Sequence, residues 1–327
     1  MPQIATTLTT RDHWGTVGAR TGFTRANYKI TPGLYCTGSP DPVSPVLVTA
    51  NYKLSFDALR RELSAISAWI LVIDTRGINV WCAAGKGTFS AGEIAYQVQK
   101  ARLGELVTHR ALILPQLSAN GVAAHELKKL CGFSGRFGPV KAAAIPDFLR
   151  HGECDESMRT ITFTLAERAE LIPLEICMLW KPLLLLLPAS FLLSGFSPAG
   201  FGLHPATARA GHFLLATITG ILAGAVVTPL LLPWLAVPQF WRKGMICGLV
   251  LGLAMMVAGH APRPFPDNLA LLLWTCALSS YMAMNYTGST PFTSLSGVAT
   301  EMRGGLAVQI LFSTTALATW LLAPFIM

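Results

Sequence analysis

The sequence predicts an α/β head with a mostly parallel sheet, followed by an all-α transmembrane domain of five helices. Two patterns along the chain predict it. Short apolar, β-branched runs alternate with helically spaced stretches up to about residue 150, the signature of repeated βα units. From Leu174 onward, apolar segments of about 20 residues recur, long enough to cross a bilayer. The divisions are residues 1–150 for the head, 151–173 for a charged connector and 174–327 for the membrane part.

Aromatic and glycine-rich segments (Asp12-His13-Trp14-Gly15, Pro32-Gly33-Leu34-Tyr35) precede Val46–Val48, which reads as a strand whose end carries Thr49 and Asn51. Ser55–Leu63 reads as a helix with Phe56, Leu59 and Leu63 on one face. Ala68–Asp74 is a buried strand that turns at Thr75-Arg76-Gly77, and Ser90–Lys100 has helical spacing at Ile94 and Val98. Ala111–Leu114 is a strand ending in Pro115–Gly121, and Val122–Leu130 is a helix closed by Gly132. Phe137-Gly138-Pro139-Val140 and Pro146–Leu149 complete the head. Parallel sheets bind ligands at the carboxyl ends of their strands, so the loops after Val48, Trp81, Leu114 and Val140 are expected on the functional edge.

Cys82 stands where strand gives way to helix, four residues before Lys86. The helix dipole and the lysine would both favour its thiolate, which makes it a plausible metal ligand or nucleophile. On spacing alone a buried core cysteine is the commoner reading. The seven cysteines are widely spaced with no C-x-x-C, which excludes a thioredoxin motif and a self-contained zinc or iron–sulfur site and suits a reducing compartment. The N-terminus lacks an apolar core segment, so no signal peptide is expected.

The formal charge of +8 and pI near 9.3 come without a Lys/Arg run or RNA-binding motif, so nucleic acid is not expected as a partner; membrane lipid is. Gly85-Lys86-Gly87-Thr88 is no phosphate-binding loop: Val80 replaces the upstream glycine, and Gly87 stands where Ser or Thr should follow the lysine. The cobalamin pattern D-x-H-x-x-G is absent, as is a nucleophile elbow. Five spans are placed at about 174–194, 210–232, 240–259, 268–287 and 304–326. Pro182, Pro188 and Pro229 should kink them. No buried acid of a proton-coupled transporter is expected inside them. His204, His212 and His260 read as interfacial residues. Trp241-Arg242-Lys243 and Glu301-Met302-Arg303 fall on the cytoplasmic side, with Arg209 and Arg263 outside. The polar loop 286–298 is then cytoplasmic, either a connector or a docking surface for the head.

The octapeptide Asn79-Val80-Trp81-Cys82-Ala83-Ala84-Gly85-Lys86 is identical to the signature of the corrinoid protein of microbial mercury methylation, and the chain resembles that family throughout. The run from Trp14 through Ser44–Lys53 to about Leu149 resembles the large subunit of the corrinoid iron–sulfur protein of the acetyl-CoA pathway, whose four-cysteine cluster domain is missing here. The resemblance implies a Rossmann-like corrinoid-binding domain (cobalamin-type, cobalt) with residues 79–86 as a cap helix and Cys82 as lower axial ligand. Trp81 and the small pair Ala83-Ala84 would let the helix lie close to the corrin, and Lys86 would favour the thiolate. Thr49, Asn51, Gln116, Gly121 and Val140 are candidates for the rest of the pocket. The implied activity is a corrinoid-dependent methyltransferase that passes methyl from cobalt to Hg(II), forming methylmercury at the cytoplasmic membrane. The implied partners are a methyl-folate or its methyltransferase as methyl source and a ferredoxin-like protein with two [4Fe-4S] clusters as electron donor. The alternatives are a corrinoid methyl carrier of one-carbon metabolism and a non-enzymatic membrane anchor or transport component.

Overall fold

The computed structural model describes residues 1–258 and 263–326. His260 and the last residue of the third expected span lie outside them. The chain divides into two compact units, Met1–Thr162 and Phe163–Met327.

The first unit holds five strands, β1 (Gly33–Thr37), β2 (Val46–Ala50), β3 (Ala68–Ile73), β4 (Ala111–Leu114) and β5 (Ser134–Phe137), in the order β1-β3-β2-β4-β5. β2 is parallel to β3 and β4, and β4 to β5; β1 alone is antiparallel, against β3. The sheet is thus mostly parallel, with helices interleaved along the chain. β2 is buried throughout and β3 nearly so, as apolar runs in a sheet covered on both faces should be. Their period of two divides them between two cores. Val48, Leu71 and Ile73 face Phe89, Ile94 and Phe133, while Leu47, Ile70 and Val72 face Phe56, Leu59 and Leu63.

Sequence reading assigned no strand to Gly33–Thr37. That strand is completed by distant pairing, Gly33 opposite Val72 through Thr37 opposite Ala68. Nor did periodicity show the helix Thr10–Arg20, whose weight lies in one side chain. Asp12 takes Lys53 Nζ at 2.5 Å and Arg60 Nη2 at 2.9 Å, and Asp57 takes the same two cations at 2.6 and 2.7 Å. Burial alone would raise the Asp12 pKa, but hydrogen bonds from Lys53, from the Thr9 amide and hydroxyl and from Arg60 hold it well below the carboxylate range. A group depressed in the folded state stabilises it above its unfolded pKa of about 3.9 and loses that contribution as pH falls toward the folded value. Chemical denaturation of the head at about pH 5 and at about pH 2 should therefore show a loss of stability on acidification that Asp12→Asn largely flattens, at the cost of a lower value at pH 7.

Among the described residues of the second unit, three helices are long and apolar enough to cross a membrane: Leu203–Trp234, Phe240–Ala258 and Ser296–Ile326. Leu165–Cys177 with Trp180–Ser194, bent by 51°, makes a fourth if the pair is one crossing. The stretch reads as one continuous span, 174–194, in sequence, but the helix breaks between Cys177 and Trp180. Pro182 lacks the N–H that would bond back to the Met178 carbonyl, so the helix restarts at Trp180, whereas Pro188 sits inside the restarted helix. A wider turn at Leu222–Val227 likewise precedes Pro229.

The helix Phe265–Tyr286 is closely wrapped by its neighbours. Its neighbours press on it so closely that a Cβ at Gly224 or Gly244 would come within 2.3 or 2.5 Å of the Ser279 carbonyl oxygen, and one at Gly248 within 2.8 Å of Ser279 Cβ. Small residues allow this approach, and Ser279 Oγ donates to the Gly244 carbonyl at 2.6 Å. A helix wrapped by others needs little apolar surface of its own. Two buried acids stand just ahead of the expected spans, because the helices start before the apolar runs do. Asp267 pairs with Arg209 at 3.0 Å, and Glu301 accepts the amides of Phe240 and Trp241 at 3.0 and 3.2 Å.

Candidate functional site

The site is built from the end of β2, the loop after β3 and the helix Val80–Gly85. Asn51, buried at the end of β2, organises the loop. Its Oδ1 accepts from the Thr75 amide at 3.1 Å, the Thr75 hydroxyl at 2.9 Å and the Gly77 amide at 2.9 Å, and its Nδ2 donates to Asp74 Oδ1 at 2.9 Å. These bonds hold Arg76 and Gly77 at φ of 59° and 76°, left-handed values that a non-glycine residue rarely adopts unaided. The loop then delivers Asn79, whose Oδ1 caps the helix by accepting from the Cys82 amide at 2.8 Å. Asn51→Ala leaves the Thr75 and Gly77 amides without their acceptor. It should cost about 3 kcal/mol in an equilibrium unfolding experiment, and a loss under about 0.5 kcal/mol would contradict this role.

The helix has two faces. Val80, Ala83 and Ala84 are buried in the core, while Trp81 and Cys82 are half-buried and Gly85 and Lys86 exposed. Spacings of three and four residues put 80, 83 and 84 on one side and 81, 82 and 85 on the other. Cys82 thus lies outside the core cluster that takes its neighbours. Ala83 and Ala84, expected to let the helix lie close to a corrin, are buried on its core side. Their small size lets the helix lie against Gly121, where a Cβ would stand 2.7 Å from Ala84 Cα, 2.8 Å from the Ala84 carbonyl oxygen and 2.6 Å from that of Phe89.

The structure places the other candidates separately. Gln116 is half-buried in the single turn Gln116–Ser118, which packs beside the cap helix. Thr49 is buried within β2, opposite Val72. Val140 lies past the end of the edge strand β5, its amide donated to the Met158 carbonyl at 2.8 Å. Asn51 and Gly121 act by seating the loop and the helix.

One residue that sequence reasoning passed over belongs to this group. Tyr52, next to Asn51 in the quoted Ser44–Lys53 run, is 4% exposed, yet its hydroxyl has no hydrogen-bond partner. The Arg25 guanidinium lies 5.7 Å from its ring centroid. Burial pushes the phenol pKa up, while Arg25 and Arg20 pull it down and Tyr28 and Cys82 push it further up. An orphaned buried hydroxyl costs about 1–3 kcal/mol, so Tyr52→Phe should leave the unliganded protein as stable or about 1 kcal/mol more stable. The same variant should retain corrinoid more weakly; measuring both quantities separates a ligand-facing hydroxyl from a merely structural one.

The residues present fit a corrinoid. Among the described residues, no group of three or more His, Cys, Asp or Glu could hold a bare metal ion. A cobalt already held by four macrocycle nitrogens needs only one further protein donor, and a thiolate is a soft, strong one. Cys82 offers it on an outward helix face, and a Cβ at Gly85 or Gly87 would meet nothing within 4 Å, so the surface beside the thiol is open. Tyr52 adds an unused hydrogen-bonding group.

Residues 24–149 match the family of the CO dehydrogenase/acetyl-CoA synthase delta subunit. The chain is 31% identical over 127 residues to the acetyl-CoA decarbonylase/synthase complex subunit gamma of Methanopyrus kandleri, covering 38% of this chain and 27% of the relative. It is 29% identical over 127 residues to the subunit gamma of Archaeoglobus fulgidus, with the same two shares, 38% and 27%. To the subunit gamma 2 of Methanosarcina thermophila it is 33% identical over 117 residues, covering 35% of this chain and 25% of the relative. The chain thus spans about a quarter of the length of these curated relatives. The likeness stays with the head.

Proposed function

We propose that the head is a corrinoid-dependent methyl-transfer module with Cys82 as lower axial ligand of the cobalt, and that its methyl acceptor is Hg(II), giving methylmercury. The observation that supports this best is the half-exposed thiol on the outward face of a helix whose other face is locked into the core. When bound, the corrinoid would supply cobalt-held methyl chemistry suited to a soft acceptor, and Cys82 would hold the cobalt through a soft sulfur donor. The rest is done by the chain. Asn79 fixes the first turn, so Sγ is presented in one direction. Val80, Ala83 and Ala84 anchor the helix against the head, Trp81 is half-buried on the same side as Cys82, and Gly85 leaves open space there. Lys86 is exposed at the helix end, and Tyr52 Oη, buried without a partner among the described residues, is a hydrogen-bond donor for a bound group.

The soft-ligand chemistry and the resemblance carried by Asn79–Lys86 support Hg(II) as acceptor. The relatives support a second reading, a corrinoid methyl carrier of one-carbon metabolism, since they are named as subunits of an acetyl-CoA decarbonylase/synthase complex. The two part on one measurement. Protein methylated on its corrinoid and mixed with Hg(II) should lose its methyl group and yield methylmercury in equal amount; a methyl group stable to Hg(II) but transferred to a carbonylation partner would establish the carrier. A colourless protein that takes up no cobalt would leave only a membrane anchor or transport role. The methyl source we propose is a methyl-folate or its methyltransferase. The seven cysteines are widely spaced with no C-x-x-C, so we assign re-reduction of cobalt to a ferredoxin-like partner with two [4Fe-4S] clusters. We place the protein in the cytoplasmic membrane with five spans, counting Phe265–Tyr286 as a crossing shielded from lipid by its neighbours, and the head in the cytoplasm.

A further inference from the structure

A cavity of about 370 Å³ in the second unit is lined by two cations, Arg168 and Lys243, together with Phe163, Phe240, Thr290 and Phe292. Both cations are more than nine-tenths buried, at 7% and 8% exposure. Among the described residues neither forms an ion pair. Lys243 Nζ donates only to the carbonyls of Leu232 and Leu235, at 3.0 and 2.6 Å. Arg168 donates Nη1 to the Phe163 carbonyl at 2.9 Å and Nη2 to that of Leu230 at 3.3 Å, while its buried Nε has no partner. The nearby carboxylates are used elsewhere. Glu301 accepts the amides of Phe240 and Trp241, and Glu175 accepts the Ser289 hydroxyl.

Two desolvated positive charges without a counter-charge are costly, and carbonyl dipoles offset only part of that cost. We infer that this cavity binds the phosphate of an anionic phospholipid headgroup, held between the Arg168 guanidinium and the Lys243 ammonium. A guanidinium with Nε–H unused presents a side-on donor pair suited to a phosphate oxygen. The cavity lies where Leu203–Trp234 ends and Phe240–Ala258 begins, at the polar end of two apolar spans. That is the depth of lipid headgroups, where basic pockets between helices take anionic lipid. Three phenylalanines on the wall, with Phe292 71% exposed, suit glycerol and acyl carbons better than a free inorganic ion. The inference rests on the membrane reading of this unit and is independent of any corrinoid chemistry in the head.

The test uses the full chain in vesicles of phosphatidylcholine alone or with phosphatidylglycerol, following thermal unfolding of the membrane unit and the lipid retained in native mass spectrometry. Phosphatidylglycerol is expected to raise the unfolding midpoint and to be retained at least about tenfold over phosphatidylcholine, the gain of one charge-assisted contact pair. Arg168→Gln should remove that preference, while Arg242→Gln, which changes a cation not lining the cavity, should keep it. If inorganic phosphate in phosphatidylcholine vesicles gives the whole stabilisation and phosphatidylglycerol adds nothing, the lipid assignment is overturned. If neither acts on the wild-type chain, the site itself is overturned, and this arm decides even if Arg168→Gln fails to fold.

Discussion

Cys82→Ala is expected to lower methyl transfer by more than about 100-fold while leaving the unfolding midpoint nearly unchanged. Loss of an outer partner of a metal ligand already costs about 10–100-fold, and here the ligand itself is removed. The fold should tolerate the change because the thiol is outside the apolar core that holds Val80, Ala83 and Ala84. It should equally leave the Asn79 cap, which uses the backbone amide of residue 82 and not its side chain. The visible spectrum of the corrinoid-loaded protein gives a readout independent of turnover, since replacing sulfur by water beneath cobalt shifts the absorption bands. An unchanged spectrum with retained activity would remove the axial role. A large drop in thermal stability instead would return Cys82 to the core-cysteine reading that its spacing also allowed.

Gly121→Val is expected to have the largest structural effect in the head. The new Cβ would meet backbone atoms of Ala84 and Phe89 at 2.6 to 2.8 Å, and backbone cannot swing aside as a flexible side chain can. The cap helix must lift, at about 3 kcal/mol, and corrinoid retention should fall with it because the sulfur moves. Trp81 fluorescence and equilibrium unfolding would register the displacement. Gly85→Ala is the matched control. Its Cβ meets nothing within 4 Å, so the unliganded head should be unaffected or slightly stabilised, yet the methyl group would project on the Cys82 face and weaken corrinoid retention. Equal behaviour of the two variants would mean that Gly121 does not seat the helix.

Much of the head was legible because its signals are local. The apolar β-branched runs at Val46–Val48, Ala68–Ile73 and Ala111–Leu114 are strands, and Gly132, at φ of 77°, closes the helix before it. Cys82 is near the start of a capped helix, as strand-then-helix order required. β1, the Asp12 cluster and Tyr52 were not legible, for a shared reason. Each depends on a partner far along the chain: Val72 for Gly33, Lys53 and Arg60 for Asp12, Arg25 and Cys82 for Tyr52. The five expected spans became three long apolar helices, a bent pair and one wrapped helix, because hydropathy records composition and not which neighbour covers a residue.

By itself the sequence determined the class of the chain, a mostly parallel α/β head joined to apolar helices, and the residue on which the proposed chemistry turns. Periodicity and composition act over a few residues, so they survive without knowledge of the fold. Only the tertiary structure decided which side of the cap helix faces outward, that Ala83, Ala84 and Gly121 hold it in place, and that a tyrosine hydroxyl, an arginine and a lysine are buried without a full set of partners. Burial and hydrogen-bond satisfaction are set by segments distant in sequence that meet only once the chain is packed.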